Sequence, residues 1–401
     1  MIWPIYILIG SVPLGVAGQN IAFFIALIGI LLIVFRNNSS FFADTKRFFF
    51  HKRQRYFFAF LIVLTASTLM NADAPNDGVG RFVFGWLPLV LLPFLLSQFF
   101  QFSGRNFSLH KLYVFIALFS FLWGVICLSQ IIWGWKLVDS QIVAEPVLRA
   151  RGFYSHPLTM AYCAAVFFPS SVLLFIQKRN GLSALYFGGI LLGLVCSQSR
   201  ILQGLAVFLV LYNLYGQLSG KRRVVAIGLV FTVLSALAAF DNPIRSRFQN
   251  SFGEKADNFS GYPDDRLAFW HAHSLMFSEK PVLGHGVNLG TKYRTPYYES
   301  IGLADFPKKY EAHNTFFQIT VNGGLVGLCF FLLWVFHQLR LREDGVFHGI
   351  YWQIYWQTWV FFLVGSLTQN SFQDSEVRFC FALFLAVMEV IRTGGVDVSS
   401  G

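Results

Sequence analysis

The sequence predicts an all-α polytopic membrane protein of about twelve transmembrane helices, with one large extramembrane loop region that carries short helices. Composition is the first observation: 55% of the 401 residues are hydrophobic and 13% charged, against about 25% charged in a soluble domain. The second is the recurrence of apolar runs approaching the roughly 20 residues that a spanning helix needs. They lack the residue-by-residue alternation of a β-barrel. The third is a single long polar run. It divides the chain into 1–240 (transmembrane helices one to nine), 241–313 (a loop region bearing candidate site residues) and 314–401 (helices ten to twelve and a cytoplasmic tail).

In chain order, spans are expected at about 4–18, 20–35, 56–70, 82–102, 113–134, 157–176, 183–198, 200–217, 224–240, 314–337, 350–370 and 378–391. The first two are short and read as a tight hairpin around Gly18-Gln19-Asn20, or as one broken helix. No lysine or arginine precedes Arg36, so the first segment lacks the basic start of a cleaved signal peptide and is expected to be retained. Orientation follows from the short loops. Arg36, Lys46, Arg47, Lys52, Arg53 and Arg55 share a side with Arg105, Lys111, Lys178, Arg179, Lys221, Arg222, Arg223, Arg340, Arg342 and Arg392. The opposite short loops hold Arg81, Lys136, Arg149, Arg151, Arg200 and Arg378. The richer side is cytoplasmic by the positive-inside rule, which places 241–313 on the outer face, periplasmic in a Gram-negative cell.

Composition also excludes. A formal charge of +11 would suit nucleic acid, but the basic residues are scattered over short loops, where they act as topology signals. Cys127, Cys163, Cys196, Cys329 and Cys380 lie in or beside apolar segments with no C-x-x-C pair, so they read as small core residues. Glu389 is the one acid inside a predicted span, which disfavours an ion-coupled transporter. His271, His273 and His285 invite a metal. The first two, however, lie two apart on a predicted helix and point about 200° apart, so they cannot chelate together. Gly284-His285-Gly286-Val287-Asn288-Leu289-Gly290 has the wrong spacing for a dinucleotide and reads as a tight turn.

What remains is a set of cations where outer-face helices begin. Ser199-Arg200 opens span eight, with Ser199 a candidate cap. Arg151 and His156-Pro157 precede span six, with Pro157 at a first helical position. His313-Asn314 opens span ten and Arg378 opens span twelve. In the loop, Asp264 is a candidate N-cap for an amphipathic helix over 265–279 with Leu267, Trp270, Leu275 and Phe277 apolar; Arg266 sits in its first turn and Pro281 follows as a stop. A cation at a helix N-terminus works against the dipole, so an anion is expected between these groups. The blander explanation is an interfacial anchor with its head in water, and Arg81 is assigned to it outright. For Arg266 the bland partner is Asp265 or Glu254 at the surface. His313 titrates near neutrality and is the natural general base of this face; its bland role is a cap.

Taken in order, these pieces resemble the O-antigen ligase family and its polymerase relatives. The matching residues are Ser-Gln-Ser-Arg at 197–200, Asp-Arg-Leu-Ala-Phe-Trp at 265–270 with Pro281 and Gly284, and His313-Asn314 followed by Gly323-Gly324-Leu325-Val326-Gly327-Leu328. Arg151-Gly152-Phe153-Tyr154-Ser155-His156-Pro157 is similar to the family's segment before span six. The likeness covers roughly 150–330. It implies an inverting, metal-independent glycosyltransferase of the bacterial inner membrane with no cofactor. The implied donor is a glycan on undecaprenyl diphosphate and the implied acceptor is lipid A-core. In a polymerase the acceptor is another lipid-linked unit. By position, Arg200 and Arg266 would hold the diphosphate, His313 would activate the acceptor hydroxyl, and Arg151, His156 and Asn314 would be supporting contacts. Partners besides substrates would be membrane lipids, with no nucleic acid. The competing class is a polysaccharide or lipid exporter without chemistry, which should show polar residues lining a path through the membrane.

Overall fold

The computed structural model describes residues 3–12, 15–37, 46, 48–71, 85–103, 109–134, 149–154, 156–239, 262, 264–287, 289–306, 310–340 and 349–392. The regular elements among them are helices: α1 (Trp3–Gly10), α2 (Gly15–Asn37), α3 (Lys52–Met70), α4 (Pro88–Ser103), α5 (Leu109–Trp133), α6 (Pro157–Lys178), α7 (Gly181–Ser197), α8 (Arg200–Gln217), α9 (Gly220–Ala239), α10 (Asp265–Glu279), α11 (Thr291–Ser300), α12 (Thr315–Leu339), α13 (Gly349–Gly365) and α14 (Ser375–Arg392). By length and composition, His110–Trp133, Pro157–Lys178 and Thr315–Leu339 can each cross a membrane, and shorter apolar stretches lie in α2, α3, α4 and α7. Arg81 and Glu254 lie outside the described residues.

Local chemistry sets the boundaries. Asn180 and Ser183 close a reciprocal capping box at the start of α7, directly after Arg179 turns left-handed (φ 48°) to end α6. Gln198 ends α7 in the same way (φ 54°). The predicted N-terminal hairpin is displaced. Gly18, Gln19 and Asn20 lie inside α2, because buried Gln19 donates to Val12 O at 2.6 Å instead of facing water in a turn. Helix α1 has eight residues, about 12 Å of rise, well short of a span.

Close backbone contact and aromatic packing hold the bundle together. At the α5–α7 crossing a Cβ on Gly189 would lie 2.2 Å from Ser120 O, and one on Gly124 2.5 Å from Gly189 O, so only glycine permits that approach. Polar groups inside the bundle satisfy one another. The amides of Asn213 and Gln357 exchange two 2.9 Å hydrogen bonds, and Tyr355 donates to Gln338. A cluster of Phe57, Phe60, Trp86, Phe331, Trp334 and Phe372 joins α3 and α12 to the α13–α14 turn. That turn, 366–374, is longer than predicted. The helix expected to run to 370 stops at Gly365 and the one expected from 378 starts at Ser375, and Phe372 is buried between them in the aromatic cluster.

The loop region docks into the bundle through a broken helix. Gly324 (φ 63°, ψ −166°) interrupts α12 nine residues after its start, about 14 Å along the axis. The turn after α10 fills the gap. Leu325 and Val326 donate to the carbonyls of Pro281 and Val282, and His285 and Gly286 donate to those of Val321 and Asn322. From α3, Ser67 also donates to Asn322 O, and Thr68 Oγ1 accepts from Val287 N. The groups freed by the break thus find partners, a requirement for irregular backbone at membrane depth. The glycine-rich stretch is a tight turn, with Gly284 at φ 71° and Gly286 at φ 91°.

Candidate active site

Four segments converge where α12 begins: the start of α10, the strap 310–314, the α13–α14 turn and the start of α6. Asp264 caps α10, its Oδ1 accepting from Arg266 N at 2.9 Å. The apolar face of α10 is not the one predicted. Ala268, Phe269, Ala272, His273 and Met276 are buried, whereas Leu267 is exposed. The buried set runs at helical spacing and packs on α11, α12 and the strap. Trp270 Nε1 donates to Ala312 O at 2.8 Å, and the Phe269 ring stacks on His313 at 5.3 Å.

His313 lies half-buried in a left-handed conformation (φ 48°), sparsely populated for a residue with a Cβ. The flanking groups are tied down on both sides. Ala312 N donates to Gln318 Oε1, Asn314 N to Asn370 Oδ1 at 2.7 Å, and Thr315 N to Ser366 O. Asn314 is the N-cap of α12, its Oδ1 taking Phe317 N at 3.0 Å. The imidazole Nδ1 is 2.9 Å from Gln369 Oε1. An amide oxygen only accepts, so Nδ1 carries the proton and Nε2 presents the lone pair. Burial pushes His313 below the ordinary histidine value, opposed by the Gln369 bond and Glu311 and reinforced by Arg266 and Arg294.

The remaining predicted residues divide. Arg266 acts electrostatically on both His313 and Tyr162. Tyr162 donates to Gly365 O at 2.5 Å. A Cβ on Gly365 would meet Leu202 at 2.9 Å and Tyr162 at 3.1 Å, so the first turn of α8, which carries Arg200, packs at this same corner. Ser199 occupies the cap position of α8 without a side-chain cap bond; its own N–H goes to Ser197 Oγ. His156 is the N-cap of α6, its Nδ1 accepting from Leu158 N at 3.1 Å, with Pro157 in the first turn. The Arg151-Gly152 turn is clamped by Gln130 of α5, which accepts from both backbone N–H groups and donates to Gly152 O. Arg378 departs from its predicted place. It is buried, donates to Phe372 O and Gln373 O, and lies over Trp86. It braces the α13–α14 turn, as carbonyls within reach outcompete water for a guanidinium held against an aromatic face.

The sequence reading missed the second wall, Gln369, Asn370 and Asp374. Asp374 accepts from Thr159 Oγ1 at 3.0 Å, and burial, aided by Glu376, pushes its carboxyl up to about 6 against Thr159 and Arg378. The available signal was the acid pair Asp374 and Glu376 beside Arg378 in a short segment between two apolar runs. His271, His273 and His285 are dispersed. His271 is exposed against Tyr262, His273 is buried against Phe269 O, and His285 bridges Tyr293 and Met276 O.

Residues 164–332 match the family model described as O-antigen ligase. The chain resembles the O-antigen ligase family. Arg200, Arg266, His313 and the Gly323-Gly324 break all fall inside the matched segment, whereas Arg151, His156, Gln369 and Asp374 lie outside it. No curated protein matches the chain. The likeness supports a lipid-linked glycan and a glycan acceptor as the general substrate classes of an O-antigen ligase-type or polymerase-type membrane glycosyltransferase.

Proposed function

We propose that the chain is a metal-independent inverting glycosyltransferase of the inner membrane that works at the periplasmic face through twelve spans. It would move a glycan from undecaprenyl diphosphate to a hydroxyl of lipid A-core. The observation that carries this reading is the imidazole of His313. It is held at Nδ1 by Gln369, keeps its Nε2 lone pair, and sits on the ring of Phe269 three residues beyond Arg266. In the step proposed, the acceptor oxygen attacks the anomeric carbon while the bond from that carbon to the diphosphate oxygen breaks. Nε2 takes the hydroxyl proton, and Arg200 with Arg266 stabilises the charge growing on the departing undecaprenyl diphosphate. Arg151, His156 and Asn314 would be supporting substrate contacts, His156 and Asn314 from the cap positions of α6 and α12. The match to the O-antigen ligase model supports a glycosyltransferase of the ligase or polymerase type over an exporter; ligase is the reading put forward here, and polymerase is its alternative.

The test is transfer from a defined undecaprenyl diphosphate donor, in excess EDTA, with lipopolysaccharide gels of a deletion strain alongside. Loss of a ligase leaves bare lipid A-core while lipid-linked polymer accumulates; loss of a polymerase leaves core with a single repeat. His313→Ala is expected to lower turnover by about 10²–10⁴-fold at unchanged membrane level. Because burial holds His313 below its ordinary value, the neutral base persists into mild acid, and turnover should fall only as pH drops below the usual histidine range. Near wild-type turnover of His313→Ala refutes the assignment.

A further inference from the structure

Gln369 and Asn370 of the α13–α14 turn lie against the strap on both sides of His313. Gln369 takes the imidazole, its Oε1 2.9 Å from Nδ1, and its backbone oxygen accepts from Thr315 Oγ1 at 3.0 Å. Asn370, buried beside it, spans the histidine with one amide. Its Oδ1 accepts from Asn314 N at 2.7 Å, and its Nδ2 donates to Glu311 Oε2 at 3.0 Å. The same Nδ2 lies 3.4 Å from Gln318 Oε1, which also accepts from Ala312 N. The partners dictate the orientation of the amide. A backbone N–H only donates and a carboxylate only accepts, so the oxygen must face Asn314 and the nitrogen Glu311.

We propose that Asn370 is the positioning residue of His313: its single planar amide bridges Glu311 and Asn314 and so holds the left-handed residue between them. A backbone at φ 48° persists in a residue with a Cβ only where its surroundings over-determine it. The bridge does this by closing the chain from Glu311 to Asn314 around His313, while Gln369 next to it fixes the ring. Both halves of the amide are needed. Aspartate has nearly the same shape and keeps the acceptor for Asn314 N, but it has no donor for Glu311. It would set a second carboxylate at hydrogen-bond distance from the first, where like charges repel. The strap then moves off the turn, and the Gln369 bond that aims Nε2 goes with it. Displacements of about 1 Å at a catalytic group can cost about 10²-fold in rate. What the bridge requires is one donor and one acceptor facing each other, not the charge on Glu311.

The experiment reverses the polarity of the bridge. Asn370→Asp removes the donor; Glu311→Gln, added to it, supplies one from the opposite side. Glu311→Gln alone still accepts from Asn370 Nδ2. Full-length protein in nanodiscs is treated with diethylpyrocarbonate in mildly alkaline buffer. The rate of carbethoxylation at His313, half-buried in the wild type, is followed by mass spectrometry, which needs no substrate. Asn370→Asp should raise that rate severalfold, Glu311→Gln should leave it near wild type, and the double variant should return toward wild type. In the transfer assay Asn370→Asp should lower kcat by about tenfold or more with donor KM little changed, and the double variant should recover most of the loss. Should Asn370→Asp accumulate poorly, recovery of membrane level and turnover in the double variant carries the test. An unchanged carbethoxylation rate in Asn370→Asp, a double variant no better than Asn370→Asp, or a loss confined to donor KM would overturn the bridge. The expected loss of turnover rests on His313 being the base, and the two readings fail separately. If carbethoxylation follows the stated pattern while His313→Ala keeps its turnover, the bridge stands and the catalytic reading falls. If His313→Ala loses turnover while Asn370→Asp matches wild type in both assays, the catalytic reading stands and the bridge falls.

Discussion

Gly324→Ala tests whether α12 is broken by the inserted turn. A Cβ at 324 would lie 2.1 Å from Val282 O, 2.2 Å from Val282 C and 2.6 Å from Leu283 N. All three are backbone atoms, so no side chain can swing away. The conformation itself, φ 63° with ψ −166°, is close to glycine-only and costs about 1–3 kcal/mol for another residue. Relieving the clash means expelling the 281–286 turn, which breaks its hydrogen bonds to Val321, Asn322, Leu325 and Val326. At about 1 kcal/mol net apiece, and more if the freed groups stay buried, the four bonds bring the loss to about 5–7 kcal/mol. That rivals the whole stability of many proteins, about 5–15 kcal/mol. The expected outcome is a protein that fails to accumulate or elutes as aggregate, followed by fluorescence-detected gel filtration and thermal melts in detergent. Gly188→Ala is the control, because nothing lies within 4 Å of a Cβ there, and it should melt like wild type. A Gly324→Ala protein that is monodisperse and melts with wild type would refute the break and the docking of the turn.

Three further outcomes are expected. Arg200→Lys and Arg266→Lys should each lose most transfer activity, because a clamp on a diphosphate needs the planar fork and not only the charge; the two should be non-additive, and full turnover by both variants would return them to anchors. His273 donates from Nδ1 to Phe269 O, and its buried Nε2 has no partner, which leaves it neutral with a value pushed down to about 4, mainly by burial. The unfolded chain therefore binds this proton first, so stability is full above about 6.5 and falls as pH drops from there toward 4, by about 3 kcal/mol at most; His273→Phe should flatten that part of the melting curve, and an unchanged slope counts against it. A reporter active only in the periplasm should score positive when fused after Asn250 and negative after Arg223, and the reverse would invert every assignment made to the outer face.

Local signals were legible and long-range ones were not. Asp264 as the cap of a helix over 265–279, Pro157 in the first turn of α6, and His313-Asn314 at the start of α12 all follow from side chains bonding backbone within a few residues. The buried face of α10 was misread because Ala268, Ala272 and His273 are not conspicuously apolar, and the partners that cover them come from α11, α12 and the strap. Helix α11 was invisible because Pro296 reads as a breaker, yet the helix forms with Arg294 and Tyr298 buried and the Tyr298 hydroxyl donating to Tyr310 O of the strap. The 366–374 turn was placed a few residues late, at 371–377, because nothing local shows that the helix stops at Gly365 or that Phe372 is drawn into the aromatic cluster. The glycine pair at 323–324 stood out only as a motif. Its meaning, a gap for a turn some forty residues upstream, depends on a pairing that no local pattern encodes.

That pairing bears on the chemistry. Helix α10 carries Arg266 at one end and leads into the inserted turn at the other, while α12 carries His313 at its start and the break nine residues later. The two helices are therefore fastened twice: near the site by Trp270 on Ala312 O and Phe269 on His313, and deeper by four backbone bonds across the break. One fastening would leave α10 free to pivot; two fix both its distance and its tilt. A third element adds to this, because α3 reaches the same junction through Ser67, Thr68 and Asn71, the last donating to His285 O at 2.5 Å. The imidazole of His285 then bonds Tyr293 and Met276 O, which ties α11 to α10 and so extends the brace to the helix that bears Arg294. His313 and Arg266 are thus carried on one doubly fastened frame, one of whose joints is the Gly323-Gly324 gap. This geometry gives Pro281, Gly284 and the glycine pair a reason to travel in sequence with a histidine and an arginine that none of them is required to touch.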